Sequence, residues 1–244
     1  MIKGGPTISS NGLVLYLDAG NSDSYTSGST TWFDLSGYDN RLNLTNGPTF
    51  STASNGSILL DGTNDYLITN ANSTPNLDIT SQLTLDAWIR STALANSNHG
   101  DGIFSKGLSS DGNTGVYEFL LTQVSSSNYP YFRLRLGSTT YFHNPTGSVI
   151  NLNSIYNIVG TFNGTVMRVY VNGVESGTSY SASGTIAANT EQLTIGVRYR
   201  IRASGTDDSF FSGNIYSTKI YNRALTSSEI LNNYNMMKGR FGLT

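Results

Sequence analysis

Apolar and polar residues alternate with a period of two along many short stretches of the chain, separated by breaks rich in Gly, Asn and Ser. That spacing is the signature of half-buried β-strands. The clearest example, Leu83-Thr-Leu-Asp-Ala-Trp-Ile-Arg90, puts Leu83, Leu85, Ala87 and Ile89 on one face and Thr84, Asp86, Trp88 and Arg90 on the other. Further strands are predicted over residues 13–18, 41–44, 58–60, 66–69, 116–122, 131–136, 155–162, 165–171, 193–197 and 214–221. Asn163-Gly164 and Asn172-Gly173 suit two-residue hairpin turns with positive φ at both centres, so the strands around them form a three-stranded meander. Residues 91–114 read as a long loop around a short apolar piece, Ile103-Phe104. One helix is expected: Thr226 as N-cap, Glu229 closing a capping box, Leu225 and Ile230 as its hydrophobic staple, and a stop at Gly239. Residues 1–12 read as a flexible N-terminal arm and 13–244 as one domain, because no linker or change of composition interrupts them.

Composition narrows the picture. Only 12% of the 244 residues are charged, and Gly, Ser, Thr and Asn make up close to half of the chain. A coiled coil or a helical bundle does not have that make-up. Fifteen Tyr and ten Phe still supply a core. The net charge of −2 lacks the surplus of Lys and Arg that nucleic acid demands. The absence of cysteine removes disulfides, thiolate metal sites and a Cys nucleophile. The start shows no apolar leader and no stretch is long enough to span a membrane, so synthesis in a cytoplasm without a signal peptide is expected.

Several phrases carry a resemblance. They are Leu13-Val-Leu-Tyr-Leu-Asp18, Trp32-Phe-Asp-Leu-Ser-Gly37 with Asn40, Leu60-Asp-Gly-Thr-Asn-Asp-Tyr66 and the strand 83–90. They continue with Val169-Tyr-Val-Asn-Gly173, Phe211-Ser-Gly-Asn-Ile-Tyr216 and Ile220-Tyr-Asn-Arg-Ala-Leu-Thr226. In order and spacing the chain resembles the concanavalin A-like jelly rolls, in particular laminin G-like domains of bacterial and phage proteins. The resemblance implies an all-β, two-sheet antiparallel jelly-roll sandwich with one short C-terminal helix, and ligands at the loop rim or on the concave face. The opening and closing phrases also resemble those of structural proteins of tailed phages.

Relatives of this fold cleave β-glucans with paired acids, but the chain has four Glu (Glu118, Glu175, Glu191 and Glu229) and no two are neighbours along a strand. Asp86 and Glu118 could face each other across adjacent strands, with Arg90 and Arg133 on the same faces holding them ionised, which is wrong for a general acid. His99 and His143 read as surface histidines in polar loops, with no nucleophile elbow near either. Two oxygen-rich loops, Asp34 with the Gly37 carbonyl and Asn40, and Asp61 with Asn64 and Asp65, are chemically suited to calcium. They are equally the residues of ordinary Asx-turns. The resemblance implies calcium near this rim with help from an Asp where this chain has Asn214.

A third group is a face: Asp86, Trp88 and Arg90 with Glu118, Tyr131, Arg133, Arg135, Arg168 and Tyr170. Aromatic planes beside Arg and Asp suit a sugar; the same residues also suit a structural layer of ion pairs with Trp88 in the core. The loop Arg198-Tyr-Arg-Ile-Arg202, followed by Asp207-Asp208, could reach a partner subunit or form a solvated strand end. Together these readings lead to the expectation of a non-enzymatic virion protein of a tailed phage, decorating the capsid or associated with a fibre. Its expected partners are capsid or tail proteins, sister subunits in a homo-oligomer, and a cell-surface glycan. The alternatives are an extracellular, free-standing bacterial lectin and a glycoside hydrolase.

Overall fold

A computed structural model of the chain describes residues 7–70, 74–95, 100–107, 116–145, 147–188, 191–198 and 209–244. The strands pair antiparallel into two large sheets, and the expected sandwich with one C-terminal helix is what the chain forms. The nine-stranded sheet runs in the order Val174–Glu175, Val166–Val171, Ile155–Phe162, Leu83–Ser91, Ser212–Tyr221, Ser57–Asp61 and Thr49–Ser51. Leu13–Asp18 pairs with the later part of Ser212–Tyr221, and Tyr180–Ser181 pairs with Val166–Val171. The eight-stranded sheet runs Thr139–His143, Ser127–Leu136, Tyr117–Val124, Asp101–Lys106, Leu193–Ile195, Tyr66–Thr69, Leu42–Thr45 and Thr31–Trp32. Between them lies one apolar core, into which Leu83, Leu85, Ala87 and Ile89 point from one sheet and Phe119, Leu121, Phe132 and Leu134 from the other.

Most of the alternating stretches become strands close to their expected bounds. The segment expected as a loop over 91–114 instead contains the strand Asp101–Lys106, paired on both sides and buried throughout. Its β-character was hidden because a central strand is apolar on neither face alone: Ile103 and Phe104 fill the core while Lys106 is buried by an ion pair with Asp78 (2.8 Å). Of the two Asn-Gly turns, Asn172 (φ 51°) and Gly173 (φ 80°) adopt the expected geometry. At the other, only Gly164 has positive φ; the Asn163 side chain accepts hydrogen bonds from the Thr165 and Val166 amides and stabilises a wider loop.

The helix Ser227–Lys238 starts with the expected capping box, and Leu225 and Ile230 pack together. It lies on the outer face of the nine-stranded sheet. There Trp88 stacks on Tyr234 (5.6 Å between centroids) and on Phe241 (4.6 Å), with Tyr216 and Met237 completing the cluster. No helix among the described residues is long and apolar enough to cross a membrane. In the segment expected as a flexible arm, residues 7–12 are tied down and residues 1–6 lie outside the described ones. The Ser9 amide donates to Asn233, the Thr7 carbonyl accepts from Asn232, and the Asn11 carbonyl accepts from Arg223.

Glu229 is the hub of this end of the molecule. It accepts both guanidinium nitrogens of Arg223 (2.9 and 2.6 Å), the Thr226 amide and the Ser9 hydroxyl. Those bonds, Arg223 foremost, outweigh partial burial and hold its carboxyl down at about 2. A depressed folded-state value gives stability that is complete above the ordinary carboxylate range and lost as the pH falls through the folded value. Resistance to denaturant is therefore expected to drop as the pH goes from about 4.5 to about 2. In Glu229→Gln the loss across that window should be visibly shallower, measured by urea titration at each pH.

Candidate functional site

The residues expected to form one ligand face are divided between opposite sides of the sandwich. Asp86, Trp88 and Arg90 lie on the outer face of the nine-stranded sheet, beneath or beside the helix. Asp86 accepts a hydrogen bond from Asn157 (2.7 Å) and pairs with Lys219 (3.7 Å), all three side chains being buried. Arg90 bonds to Asn153 and to Asn214. Trp88 is wholly buried. These three are structural: strict alternation reveals which residues share a face, and here the helix covers that face. Tyr170, with Arg168, lies on the same sheet nearer its edge.

Glu118, Tyr131, Arg133 and Arg135 share the outer face of the eight-stranded sheet. Glu118 stands opposite Arg133, and Arg133 opposite Phe142. Glu118 is fully buried; its carboxylate accepts from Arg198 (3.1 Å), from Arg133 and from Ser105 (3.3 Å). Burial by itself would raise its pKa, but Arg198 and Arg133 together outweigh burial and hold it below the usual range. Arg198 reaches Glu118 because residue 102 is glycine. A Cβ there would sit 2.2 Å from the Arg198 nitrogen and the Val197 carbonyl carbon, so the Val197–Arg198 segment passes directly over it. The rest of the arginine-rich stretch, residues 199–208, lies outside the described residues.

Around this buried anchor the surface turns aromatic. Phe142 is 48% exposed, its ring 5.9 Å from the half-buried Tyr131, and the Arg133 guanidinium lies 5.8 Å from the Phe142 ring. Burial raises the Tyr131 hydroxyl's pKa, against the pull of Arg133 and Arg198. Phe142 escaped the sequence reading because its strand, Thr139–His143, was not foreseen. The signal was there in Thr-Thr-Tyr-Phe, a run of strand formers just after Gly137.

The facing of Asp86 and Glu118 that the sequence allowed does not occur: the two belong to different sheets and point out of opposite faces. His143, expected at the surface, is buried at the end of its strand with its ring over Tyr180 (6.0 Å), and burial lowers its pKa. His99 lies outside the described residues. The two oxygen-rich loops do not fit calcium, which needs six to eight oxygens. Asp34 spends both oxygens on the amides of Tyr16, Ser36 and Asn40 and the Ser36 hydroxyl. Asn40 donates to the Val14 carbonyl and has one buried oxygen left over. In the second loop one Asp61 oxygen accepts the amides of Thr63, Asn64 and Asp65, which lowers its pKa, and Asp65 accepts the Asp61 amide. Among the described residues no three acidic or histidine side chains gather as metal ligands. Asn214 bonds to Ser57 and Arg90.

Removing the Glu118 charge leaves the two arginines without the carboxylate they converge on. Glu118→Gln is expected to cost roughly 3 kcal/mol or more, read by chemical denaturation at neutral pH. The wild type should lose the same contribution as the pH falls below the ordinary carboxylate range, because the folded-state pKa is depressed.

Residues 61–231 match the laminin G-like family described as the concanavalin A-like lectin/glucanases superfamily, well over half of the chain. No curated protein matches in sequence. Among solved structures, the binding domain of Paraclostridial Mosquitocidal Protein 1 superimposes with a TM-score of 0.69 at 18% identity, over 92% of this chain and 52% of that one. Domain 4 of AbnA, a GH43 extracellular arabinanase from Geobacillus stearothermophilus, in complex with arabinotriose, gives 0.64 at 15% identity, over 91% and 98%. The botulinum neurotoxin serotype D ligand-binding domain, in complex with N-acetylneuraminic acid, gives 0.69 at 15% identity, over 93% and 51%. The chain thus spans about half the length of these toxin domains and nearly all of the arabinanase domain. With the two sheets, the terminal helix and the family match in agreement, the chain belongs to the concanavalin A-like lectin/glucanase superfamily, within its laminin G-like family.

Proposed function

We propose that the chain is a glycan-binding β-sandwich that holds its ligand without cleaving it, on the outer face of the eight-stranded sheet over Tyr131 and Phe142. The observation that carries this reading is an exposed aromatic ring, Phe142, set beside Tyr131 and braced from below by the Glu118, Arg133 and Arg198 cluster. Sugar rings present flat C–H faces that stack on aromatic planes, while their hydroxyls need fixed polar partners such as Arg135 close by. Rigid support lowers the ordering cost of binding. The arabinotriose complex of the arabinanase domain supports the reading, since the shared fold covers nearly all of that domain. Binding without cleavage is supported by Glu118, which stays ionised between two arginines and so has no proton to donate.

The setting we propose is a tailed-phage particle, in which the sandwich decorates the capsid or accompanies a fibre. It would be assembled with capsid or tail proteins and sister copies, and directed at a cell-surface glycan. The phrases at the two ends of the domain support this. The bacterial origin of the arabinanase and toxin domains favours a second setting for the same site, a free-standing bacterial lectin.

A glycan array probed with the full chain should give a defined set of binders. Phe142→Ala and Tyr131→Ala should each weaken that binding about tenfold, ~1.4 kcal/mol, with the fold intact by circular dichroism. Undiminished binding by both variants, or release of reducing ends from a bound polysaccharide, defeats the reading. Finding the chain by mass spectrometry in purified phage particles decides between the two settings.

A further inference from the structure

The opposite side of the sandwich carries a cleft of about 480 Å³ where the helix leaves part of the nine-stranded sheet uncovered. That is within the size range of clefts that hold small ligands. Thr161, Arg168, Tyr170 and Glu175 line it from the sheet, and Gln82 with Ser227 at the helix start completes the lining. Two features mark it as more than a surface irregularity. Tyr170 is only 4% exposed, its ring packed with Val159, Leu225 and Ile230, and its hydroxyl, which has no hydrogen-bond partner among the described residues, opens into the cleft. A ring held that firmly presents its hydroxyl to the cleft as a fixed donor and acceptor for whatever occupies it. The second feature is the helix start, where the first amides lack carbonyl partners within the helix. Thr226 and Glu229 satisfy each other through the capping box, which leaves out the amide of Ser227, a residue that lines the cleft.

The charges decide what kind of molecule fits. Arg168 and Glu175 lie 3.4 Å apart, each about one-third exposed, and cancel. An anion drawn to Arg168 and the helix start would meet the Glu175 carboxylate, and a cation drawn to Glu175 would meet Arg168. An uncharged molecule with many hydroxyls meets neither penalty. Its hydroxyls both donate and accept, matching Tyr170, Thr161, Gln82 and the Arg168–Glu175 pair. We infer that this cleft is a second saccharide site, seating an uncharged sugar unit between the Tyr170 hydroxyl and the start of the helix. It stands on different residues from the Phe142 site and faces the other way, so a chain using both bridges two glycan strands and gains by avidity.

The test is a two-dimensional amide NMR titration of the full chain. The probes are the methyl glycosides of arabinofuranose, glucopyranose, galactopyranose, mannopyranose and N-acetylglucosamine, with N-acetylneuraminic acid as the charged comparison. At least one neutral glycoside should shift the amide signals of Ser227, Ser228 and Glu175 saturably, at dissociation constants on the order of millimolar. Tyr170→Phe, which keeps the ring and removes the hydroxyl, should weaken that response roughly fivefold, and Phe142→Ala should leave it unchanged. The inference falls if no neutral glycoside moves those signals, or if Tyr170→Phe binds as well as the wild type. It also falls if N-acetylneuraminic acid occupies the cleft more tightly than every neutral probe. Shifts confined to the strand carrying Phe142 would retain the first site and remove this one.

Discussion

Everything in this fold follows from the position of the strand Leu83–Ser91 in the middle of the nine-stranded sheet, with neighbours on both sides and two faces to keep from water. One face is served by the opposing sheet. The other carries Trp88, whose burial requires a second cover, and the C-terminal helix supplies it through Tyr234 and Phe241. The cover has to be held at both ends. The capping box and the Arg223–Glu229 pair fasten its start, where Ser9 also reaches Glu229, and Arg240 pairs with Asp18 (2.6 Å) just beyond its end. The first strand lies alongside Ser212–Tyr221. Both ends of the described chain are therefore part of the same layer.

Each outer face also buries an ion cluster, and the two do different work. Under the helix, Asp86, Lys219 and Asn157 satisfy one another in a space closed on all sides. On the other sheet, Glu118 gathers Arg133 and Arg198 beneath a surface that remains partly open at Phe142. Burying ions returns little net stability, because desolvation offsets most of the attraction. What the second cluster provides is position. It fixes the guanidinium that lies against the Phe142 ring, so the aromatic surface is ordered before any ligand arrives. The close passage over Gly102 is the backbone condition for that arrangement.

The lesson for reading such chains lies in particular elements. The strand Ile155–Phe162 and the capping box at Thr226 were legible because local periodicity and capping chemistry act over a few residues. The strands Asp101–Lys106 and Thr139–His143 were missed. The first is buried on both faces and mixes Lys and Asp with Ile and Phe, so its period is masked; the second is a short edge strand. The candidate site suffered most from this. Without Thr139–His143 there was no place for Phe142, and residues of two different sheets were gathered into one face.

By itself, then, the sequence determined most of the secondary elements and which residues alternate within each strand, since alternation, turn chemistry and capping are properties of neighbouring residues; the two-sheet class came from the family resemblance its phrases carry. Only the tertiary structure decided which sheet each strand joined and what lay over each outer face. Those outcomes depend on contacts between residues far apart in the chain, Trp88 with Phe241 and Glu118 with Arg198. An alternating strand looks the same whether its polar side meets water, a helix or a sugar.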